Sequence, residues 1–524
     1  MSEADLAAAV DDVLSIDPEE FQAAVDADAE VIKSELRDGT FDNSQAIVGL
    51  EYEFYAVANP ADDPWTPGTE AGGTLQRVPR RLLELIGFEK ELGLHNAEMT
   101  LSPQPLNSYG LAAQESEVNA RLSAAQERTR AEGMQLVSDG LWTIPPEGET
   151  ARGYLTDSVE DRGVRIASNM SDSVRYHAMA NNAADADVGL RIDAPHVTLE
   201  GDTVMPESLI TSIQPHYQVP QAIDLPTYFR YALRIAGPLL ALGVNSPFFP
   251  PDLYDADATA EDVLEDGWME HRISVFETSL NPPGADRGEG KVRFPHDLEH
   301  VEQAVDRIAR DDTLVPMPVD PGNGFDDEFA HFRLKHGTYW RWVRPVFGGG
   351  TRSEANARIE FRPLPAQPTV SDSVAFQAAL AGLLESLPRV EHPVADLDWE
   401  DARENFYAAM REGLDADLQW ITNSGEETTD RETLYADLLD HAADGLERRG
   451  LSDTEIEEYL WPLRQRARHE LTPARWKRRE VKQRLDDGES FADAVTGMQR
   501  RYLERQHDSL IGGSFTEWVD DREW

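Results

Sequence analysis

The stretch Ile47-Val-Gly-Leu-Glu-Tyr-Glu-Phe54 places two carboxylates, Glu51 and Glu53, in an apolar segment that is typical of a β-strand. Because successive side chains of a strand point to opposite faces, these two share one face. Carboxylates among apolar residues are costly unless a cation neutralises them. A divalent ion such as Mg²⁺ or Mn²⁺ does so by gathering several oxygen ligands. The stretch therefore predicts either a strand with a metal-binding face or a half-solvated strand whose acids point to water.

Three further segments with strand character carry polar side chains in a similar arrangement. They are Glu98 in 95–103, Gln214 and His216 in 209–219, and Glu360 with Arg362 in Ala357-Arg-Ile-Glu-Phe-Arg-Pro363. If these strands lie side by side in one antiparallel sheet, their polar faces form a trough. Oxygen ligands with a single nitrogen suit Mg²⁺ or Mn²⁺ better than structural zinc. Metal ions together with arginines are the usual equipment for phosphoryl transfer.

The chain has no Walker phosphate loop, because Gly348-Gly-Gly350 is not followed by Lys and Ser or Thr. That glycine run is most simply a turn. A bound nucleotide would therefore have to lie on the sheet and be held through its metal ions.

The chain has 524 residues, a formal net charge of -50 and a pI near 4.5. Such an excess of acid is typical of proteins adapted to concentrated salt, where self-repulsion is screened. Disorder is the competing interpretation of a high net charge, but 11 Trp, 14 Tyr and 18 Phe argue against it. Lysine is scarce, occurring at Lys33, Lys90, Lys291, Lys335, Lys477 and Lys482.

The charge disfavours nucleic acid and anionic membranes as partners. One basic run, Arg475 to Arg484, is predicted to be a helix face that balances acidic neighbours, with a phosphate site as the alternative. The absence of cysteine excludes disulfides and thiolate metal sites. The first residues lack the basic start of a signal peptide, and the most apolar stretch, Ile235 to Phe249, is too short to span a bilayer. We therefore expect a cytoplasmic protein.

The order of predicted elements, with strands and helices mixed before a helical tail, indicates an α+β fold. Residues 1–43 are predicted to form an acidic helical leader that docks as a helix pair. Residues 44–390 are expected to form the catalytic domain and 391–524 a helical region that completes it. Predicted strands cover about 46–57, 95–103, 135–142 and 209–219, and predicted helices about 110–132, 227–242, 297–310 and most of 371–506.

Several short motifs occur in the order of a known family: Gly49–Phe54, Arg175-Tyr176 before Met179, Ser212–Val219, Ala241-Leu-Gly-Val-Asn-Ser-Pro-Phe248 and Ile359–Arg362. With them, the chain resembles the type 2 glutamate-cysteine ligases over roughly residues 46 to 480. That family includes the carboxylate-amine ligases and belongs to the glutamine synthetase superfamily. The resemblance implies an antiparallel sheet that forms the active-site trough. The Asn-Ser-Pro block is expected to end a helix and to turn its backbone toward the site.

Carried over residue by residue, the resemblance implies a metal set, a nucleotide set and a group of arginines. Glu51, Glu53, Glu98, His216 and Glu360 would hold the metals, and Gln214, His336 and Arg344 would lie on the cofactor side. Arg362 would hold the transferring phosphoryl group, and Arg272, with Arg175 as a further candidate, would bind the carboxylate of the substrate amino acid. The chain has Gln214-Pro-His216 where the family often has other pairs, which leaves the ligand roles on that strand open.

The implied reaction uses ATP and Mg²⁺, or Mn²⁺, to join L-glutamate and L-cysteine through a γ-glutamyl phosphate. Three alternatives remain open at this point. The same scaffold could ligate glutamate, or another carboxylate, to a different amine. It could instead be a guanidino kinase, which forms no peptide bond, or a non-catalytic protein that binds a nucleotide or an amino acid.

Overall fold

The computed structural model describes residues 2–59, 72–182, 189–282, 290–319 and 322–519. The strands in these ranges are β1 Ile47–Ala58, β2 Glu89–Lys90, β3 Asn96–Thr100, β4 Gln104–Pro105, β5 Met134–Val137, β6 Ser158–Asp161, β7 Val164–Ala167, β8 Arg191–Ala194, β9 Val197–Glu200, β10 Ile213–Val219, β11 Val343–Gly348, β12 Asn356–Phe361, β13 Trp420–Ile421 and β14 Glu427–Thr428. Eight of them form one antiparallel sheet in the order β11-β12-β10-β1-β3-β2, with β4 and β5 also paired to β1.

The α-helices of the described ranges are α1 Glu3–Leu14, α2 Pro18–Arg37, α3 Arg80–Ile86, α4 Ser108–Arg130, α5 Ala151–Thr156, α6 Val174–Asn181, α7 Leu225–Gly243, α8 Ala260–Asp266, α9 His271–Leu280, α10 Val301–Ala309, α11 Ala330–His336, α12 Val370–Val390, α13 Trp399–Glu412, α14 Arg431–Arg448, α15 Asp453–His469, α16 Pro473–Asp486 and α17 Phe491–Ser509. Short 3₁₀ turns cover Met205–Leu209, Ala222–Asp224, Pro251–Leu253, Phe325–Phe329, Pro393–Asp396, Gly413–Asp415 and Phe515–Trp518. The predicted α+β class is confirmed.

Strand β1 is the centre of the sheet, and its burial alternates as the sequence predicts. Val48, Leu50, Tyr52 and Phe54 are fully buried, whereas the odd-numbered residues from 47 to 53 are only partly covered. Helices α4 and α12 cover the apolar face, where Gln377 of α12 donates hydrogen bonds to the β1 backbone and to Gln114 of α4. The other face of the sheet is left for polar side chains.

The acidic leader forms two helices, α1 and α2, as its spacing predicts. Helix α2 packs on α10 and α11, where Lys33 contacts Asp306 at 2.5 Å. The Asp28 carboxylate accepts the backbone N–H groups of His331 and Phe332 at 2.8 and 3.1 Å. Because these are donors at the start of α11, the leader caps a helix that lies next to β11 in the chain.

The tail from α12 onward is helical, as predicted for most of 371–506, apart from a short hairpin, β13–β14. Helices α12 and α14 cross so closely that a Cβ on Gly445 would lie 1.8 Å from the carbonyl oxygen of Gly382. The basic run falls on α16, where Arg475 and Arg478 donate to backbone carbonyls of Glu470 and Gly267. Arg475 also forms ion pairs with the carboxylates of Asp415 and Glu470, which favours the interpretation of that run as a charge-balancing helix face.

Two hairpins, β6–β7 and β8–β9, were not predicted from the sequence. Strand β10 begins at Ile213 and not at Leu209, because Met205–Leu209 forms a 3₁₀ turn with Pro206 near its start. In the part of the chain that the structure describes, no helix is both long enough and apolar enough to cross a bilayer.

The net charge predicts that salt stabilises the fold. We expect the thermal unfolding midpoint to rise by about 5 °C or more between about 0.1 M and about 2 M KCl, because the screening length falls from about 10 Å to below 3 Å. Differential scanning calorimetry would measure it, with sucrose of equal osmolality as the control. A midpoint that does not change with KCl would contradict salt adaptation.

Candidate active site

The register of the sheet brings the polar residues of five strands onto one face. Across the strand pairs, the partners are Glu53 with Glu98, Glu51 with Gln214, Gly49 with His216, His216 with Glu360, and Glu360 with Arg344. Directly opposed residues of an antiparallel pair share a face and lie close together. We call this face the trough. A Cβ on Gly49 would lie in ordinary van der Waals contact with the His216 Cβ, at 3.5 Å, which shows how closely the two residues face each other.

Glu360 is the electrostatic centre of one end of the trough. Arg362 Nη1 lies 2.6 Å and Arg344 Nε 2.8 Å from the same oxygen, Glu360 Oε1. Burial raises the pKa of Glu360, but the charges of Arg344 and Arg362 outweigh it and hold the pKa well below its usual range. Arg362 also donates to Gln214 Oε1 at 2.6 Å. Both guanidinium groups are therefore oriented by contacts on the sheet.

In the middle of the trough, Glu53 is held by uncharged hydrogen-bond donors. The Glu53 carboxylate accepts hydrogen bonds from the backbone N–H of Ser212 at 2.7 Å, its hydroxyl at 3.0 Å and Gln214 Nε2 at 2.9 Å. Since none of these donors is charged, burial and the charge of Glu91 raise the pKa of Glu53 to about 7. Burial and the same neighbour raise the pKa of Glu98 well above its ordinary value.

His216 offers free ring nitrogens to the trough. Nε2 lies 3.3 Å from Glu51 Oε1, but neither ring nitrogen has a hydrogen-bond partner among the described residues. Burial raises the pKa of Glu51, but the charge of His216 helps to outweigh it, so that the pKa lies below its ordinary value. An unpaired imidazole beside crowded carboxylates is a donor set that fits a divalent cation.

The trough carboxylates do not gather around a single point. A closed metal site needs at least three ligand atoms, such as carboxylate oxygens or histidine nitrogens, close together. Among the described residues, only His392, Asp437 and His441 bring three of them within 4.8 Å of one another. Mg²⁺ is usually held by one or two carboxylates, with substrate phosphates and water completing its shell. The spread of the trough therefore fits Mg²⁺ held with a phosphate ligand better than a closed protein cage.

Two cavities open on the trough and share Glu51. The catalytic cavity, of about 210 Å³, is lined by Glu53, Glu98, Gln214, Arg344 and Arg362, and also by Leu92, Val204, Phe276, Leu280, Trp340 and Gly337. The second cavity, of about 220 Å³, is lined by His216, Gln218 and Arg358 together with Val48, Gly49, Leu50, Leu101 and Pro103. One cavity is thus mostly polar, and the other combines an apolar wall with one guanidinium group.

The family model of glutamate-cysteine ligase family 2 matches residues 47–508. The chain belongs to this family. Its members are ATP-dependent ligases that join a carboxylate to an amine, and the predicted resemblance is confirmed. None of the proteins with curated functions matches the chain significantly in sequence.

A solved glutamate–cysteine ligase structure shares the fold at low identity, and two other ligase structures align less closely. Glutamate–cysteine ligase from Francisella tularensis, in complex with AMP, aligns with a TM-score of 0.51 and 11% identity, over 90% of this chain and 91% of that chain. The ligase PafA, in complex with Pup, has a TM-score of 0.39 at 11% identity over 92% and 79%. A bifunctional glutathione synthetase from Pasteurella multocida has a TM-score of 0.44 at 11% identity over 92% and 54%.

Three residues that the family resemblance assigns to ligands are engaged in internal contacts. Arg272 is 3% exposed and does not line the catalytic cavity; its Nη2 donates to the carbonyls of Arg362, at 3.2 Å, and Pro363. Arg175 donates to the carbonyl of Leu334, and His336 Nε2 lies 3.0 Å from the carbonyl of Pro345. Burial and the charge of Arg344 lower the pKa of His336 to about 3. In this arrangement Arg272 positions the backbone that carries Arg362.

The Asn-Ser-Pro block of the family does not line the catalytic cavity, contrary to the expectation that it turns toward the site. Asn245 Nδ2 donates to the carbonyl of Ala366 at 2.8 Å, and the backbone N–H of Asn245 donates to Glu270 at 2.7 Å. Ser246 Oγ also contacts Glu270 and accepts the backbone N–H of Arg272. The block is wholly buried. Its polar atoms form hydrogen bonds that hold the start of α9 in place.

Sequence reasoning missed three polar residues that line the catalytic cavity: Glu91, Glu207 and Tyr176. Glu91 follows β2 and accepts the backbone N–H of Leu92, and Glu207 lies on the 3₁₀ turn Met205–Leu209. Only Tyr176 had a signal, since it stands in the Arg175-Tyr176 motif. Glu91 and Glu207 lie in segments without strand or helix periodicity, which gave no reason to select them.

The group His392, Asp437 and His441 is explained by hydrogen bonds without a metal. The Asp437 carboxylate accepts from Trp420 Nε1 at 2.8 Å and lies 3.1 Å from His392 Nε2. His392 Nδ1 accepts the backbone N–H of Val394, which leaves the ring proton of neutral His392 on Nε2. With its lone pair and its proton both used, His392 has no free nitrogen for an ion.

Proposed function

We propose that this chain is a glutamate-cysteine ligase that forms γ-glutamylcysteine from L-glutamate and L-cysteine with ATP. The observation that carries the proposal is the register that lines Glu51, Glu53, Glu98 and Glu360 on one sheet face beside Arg344 and Arg362. Membership of the glutamate-cysteine ligase family supports the same reaction class. A guanidino kinase is not supported by that family match.

The trough is assigned to Mg²⁺ or Mn²⁺, with Glu51, Glu53, Glu98, His216 and Glu360 as the residues that would hold the ions. When bound, divalent ions would neutralise the nucleotide phosphates, so that a carboxylate could approach the terminal phosphorus. Gln214 keeps Glu53 and Arg362 in place through one amide group.

Arg362 and Arg344 are assigned to the transferring phosphoryl group. Both are fixed by Glu360, so they need little reorganisation when charge gathers between the substrate carboxylate and the phosphate. Because Arg362 lines the catalytic cavity, its N–H groups that are not used by Glu360 and Gln214 can bind phosphate oxygens there. Arg175, next to the cavity residue Tyr176, keeps its assignment to a substrate carboxylate.

The second cavity is assigned to the nucleotide. Its apolar wall, with Ile47 and Pro103, suits a purine ring, and Arg358 suits a phosphate or a ribose hydroxyl. The neighbouring fold of the Francisella tularensis ligase carries AMP, which supports an adenine nucleotide here. Because the two cavities share Glu51, the reacting phosphate would lie between them, over the trough.

The catalytic unit is proposed to span 44–390, with 391–524 completing it and 1–43 docked outside. Buried contacts between the last helices and the sheet region support this division. Lys477 of α16 contacts Asp139, and Gln506 of α17 accepts the backbone N–H of Ser138 at 3.1 Å. The tail therefore contributes to the core of the same unit.

The test is release of ADP in roughly molar KCl with Mg²⁺, ATP and glutamate, while the amine is varied. Cysteine-dependent release of ADP, with γ-glutamylcysteine identified by mass spectrometry, is the expected result. Turnover with other amines and none with cysteine would show that the acceptor is a different amine. Tight ATP binding without turnover for any amine would favour a binding protein and contradict the ligase assignment.

A further inference from the structure

The carboxylates of the catalytic cavity differ in what they contact. Four of its five carboxylates have a partner: Glu53 accepts from Ser212 and Gln214, Glu51 lies beside His216, Glu91 accepts from Leu92, and Glu98 is hydrogen-bonded to Glu91. The Glu207 side chain has no hydrogen bond or ion pair with any of the described residues. Glu207 is partly exposed, and a carboxylate that is partly withdrawn from water without a partner is left free to bind a ligand.

The surroundings of Glu207 suit an ammonium group better than a metal ion. Glu207 lies on the turn Met205–Leu209 and not on the sheet, and its cavity neighbours include Tyr176, Phe276 and Trp340. A divalent ion needs several oxygen ligands at one point; among the described residues, no three carboxylate or imidazole ligand atoms of this cavity lie within 4.8 Å of one another. An ammonium group needs one carboxylate and gains from aromatic faces and a hydroxyl. The Tyr176 hydroxyl also has no hydrogen-bond partner among the described residues.

The charges in the catalytic cavity also favour an ammonium group as the ligand of Glu207. Its arginines, Arg344 and Arg362, are both paired with Glu360, and neither forms an ion pair with Glu207. Burial and the charge of Glu91 raise the pKa of Glu207 to about 8, which expresses the same lack of a cation. A positively charged substrate group would offset both effects.

We propose that Glu207, assisted by the hydroxyl of Tyr176, binds the protonated amino group of an amino-acid substrate in the catalytic cavity. The inference rests on the proposed ligase function, which supplies two such groups: the α-ammonium of the carboxylate substrate and the ammonium of the acceptor. Glu207 is a specificity residue, since it selects amino acids over carboxylic acids of the same length.

Titration calorimetry with Mg²⁺ and a non-hydrolysable ATP analogue in roughly molar KCl tests this without turnover. L-glutamate is compared with glutarate, and L-cysteine with 3-mercaptopropionate; each second ligand lacks only the amino group. The wild type is expected to prefer the amino acid by about tenfold or more in at least one pair. The pair that shows the preference identifies the source of the ammonium.

In Glu207→Gln that preference is expected to fall to within about threefold of equal binding, because the amide keeps the size but loses the charge. Tyr176→Phe is expected to weaken binding of the amino acid about threefold and to leave binding of the acid without an amino group unchanged. Glu200→Gln, an exposed change at the end of β9, is the control and should behave as wild type. Circular dichroism verifies that each variant is folded.

A preference that survives in Glu207→Gln, or no preference in the wild type for either pair, would overturn the inference. Failure of the proposed function gives a different result. A protein that prefers glutamate through Glu207 but releases no ADP with any amine would retain the inference and lose the ligase assignment.

Discussion

Glu360→Gln is expected to lower ADP release by roughly 10³-fold or more while the protein stays folded. The amide has the size of the carboxylate and can still accept a hydrogen bond, so Arg362 and Arg344 keep one acceptor. The change removes the negative charge that orients both guanidinium groups and would hold a divalent ion. Glu53→Gln is expected to lower ADP release by a similar factor, because the Glu53 carboxylate faces the same trough from β1.

Activity alone would not identify the cause, so metal binding is measured separately. Electron paramagnetic resonance of Mn²⁺ in the presence of ATP is expected to show weaker binding in both variants by roughly tenfold or more. Glu427→Gln, an exposed carboxylate on β14, is the matched control and should retain wild-type rates. Wild-type turnover in Glu360→Gln or Glu53→Gln would end the metal assignment.

The strand faces of the site could be predicted because period-two spacing is a local property. Glu51 and Glu53 share a face whatever lies beside them, and so do Gln214 and His216. The register that places Glu53 opposite Glu98 and His216 opposite Glu360 is set by pairing between distant segments. From the sequence alone one could predict only that such a pairing was possible. The fold class followed from element order and from the family motifs.

The contacts of Arg272 and the position of Glu207 in the catalytic cavity could not be predicted, for different reasons. An arginine at a family position serves a ligand or a backbone carbonyl according to packing, and Arg272 is buried against the carbonyls of Arg362 and Pro363. Glu207 lies on a short 3₁₀ turn, and one acid in an acidic chain carries no signal. The hairpins β6–β7 and β8–β9 were missed because their short strands are partly exposed and rich in charge.

Lys477→Met is expected to destabilise the protein by about 3–5 kcal/mol, since it leaves a buried charge unpaired. Lys477 is 1% and Asp139 0% exposed by side chain, and the ammonium contacts the Asp139 carboxylate. It also donates to the carbonyl of Asn245 at 2.7 Å and lies 4.5 Å from the centre of the Tyr502 ring. One side chain of α16 thus connects the end of β5, the Asn-Ser-Pro block and α17.

Urea unfolding in roughly molar KCl measures the change, with Lys482→Met, an exposed lysine of the same helix, expected within about 0.5 kcal/mol of wild type. The double variant Asp139→Asn, Lys477→Met is expected to recover about half of the loss, because the amide needs no counter-charge and its single oxygen can still accept from either Gln499 Nε2 or the backbone N–H of Gly140. A double variant as unstable as Lys477→Met would show that packing of the lysine chain, and not the buried charge of Asp139, supports the junction between the sheet and the tail. A single variant within about 1 kcal/mol of wild type would show that the tail is held by its apolar contacts alone.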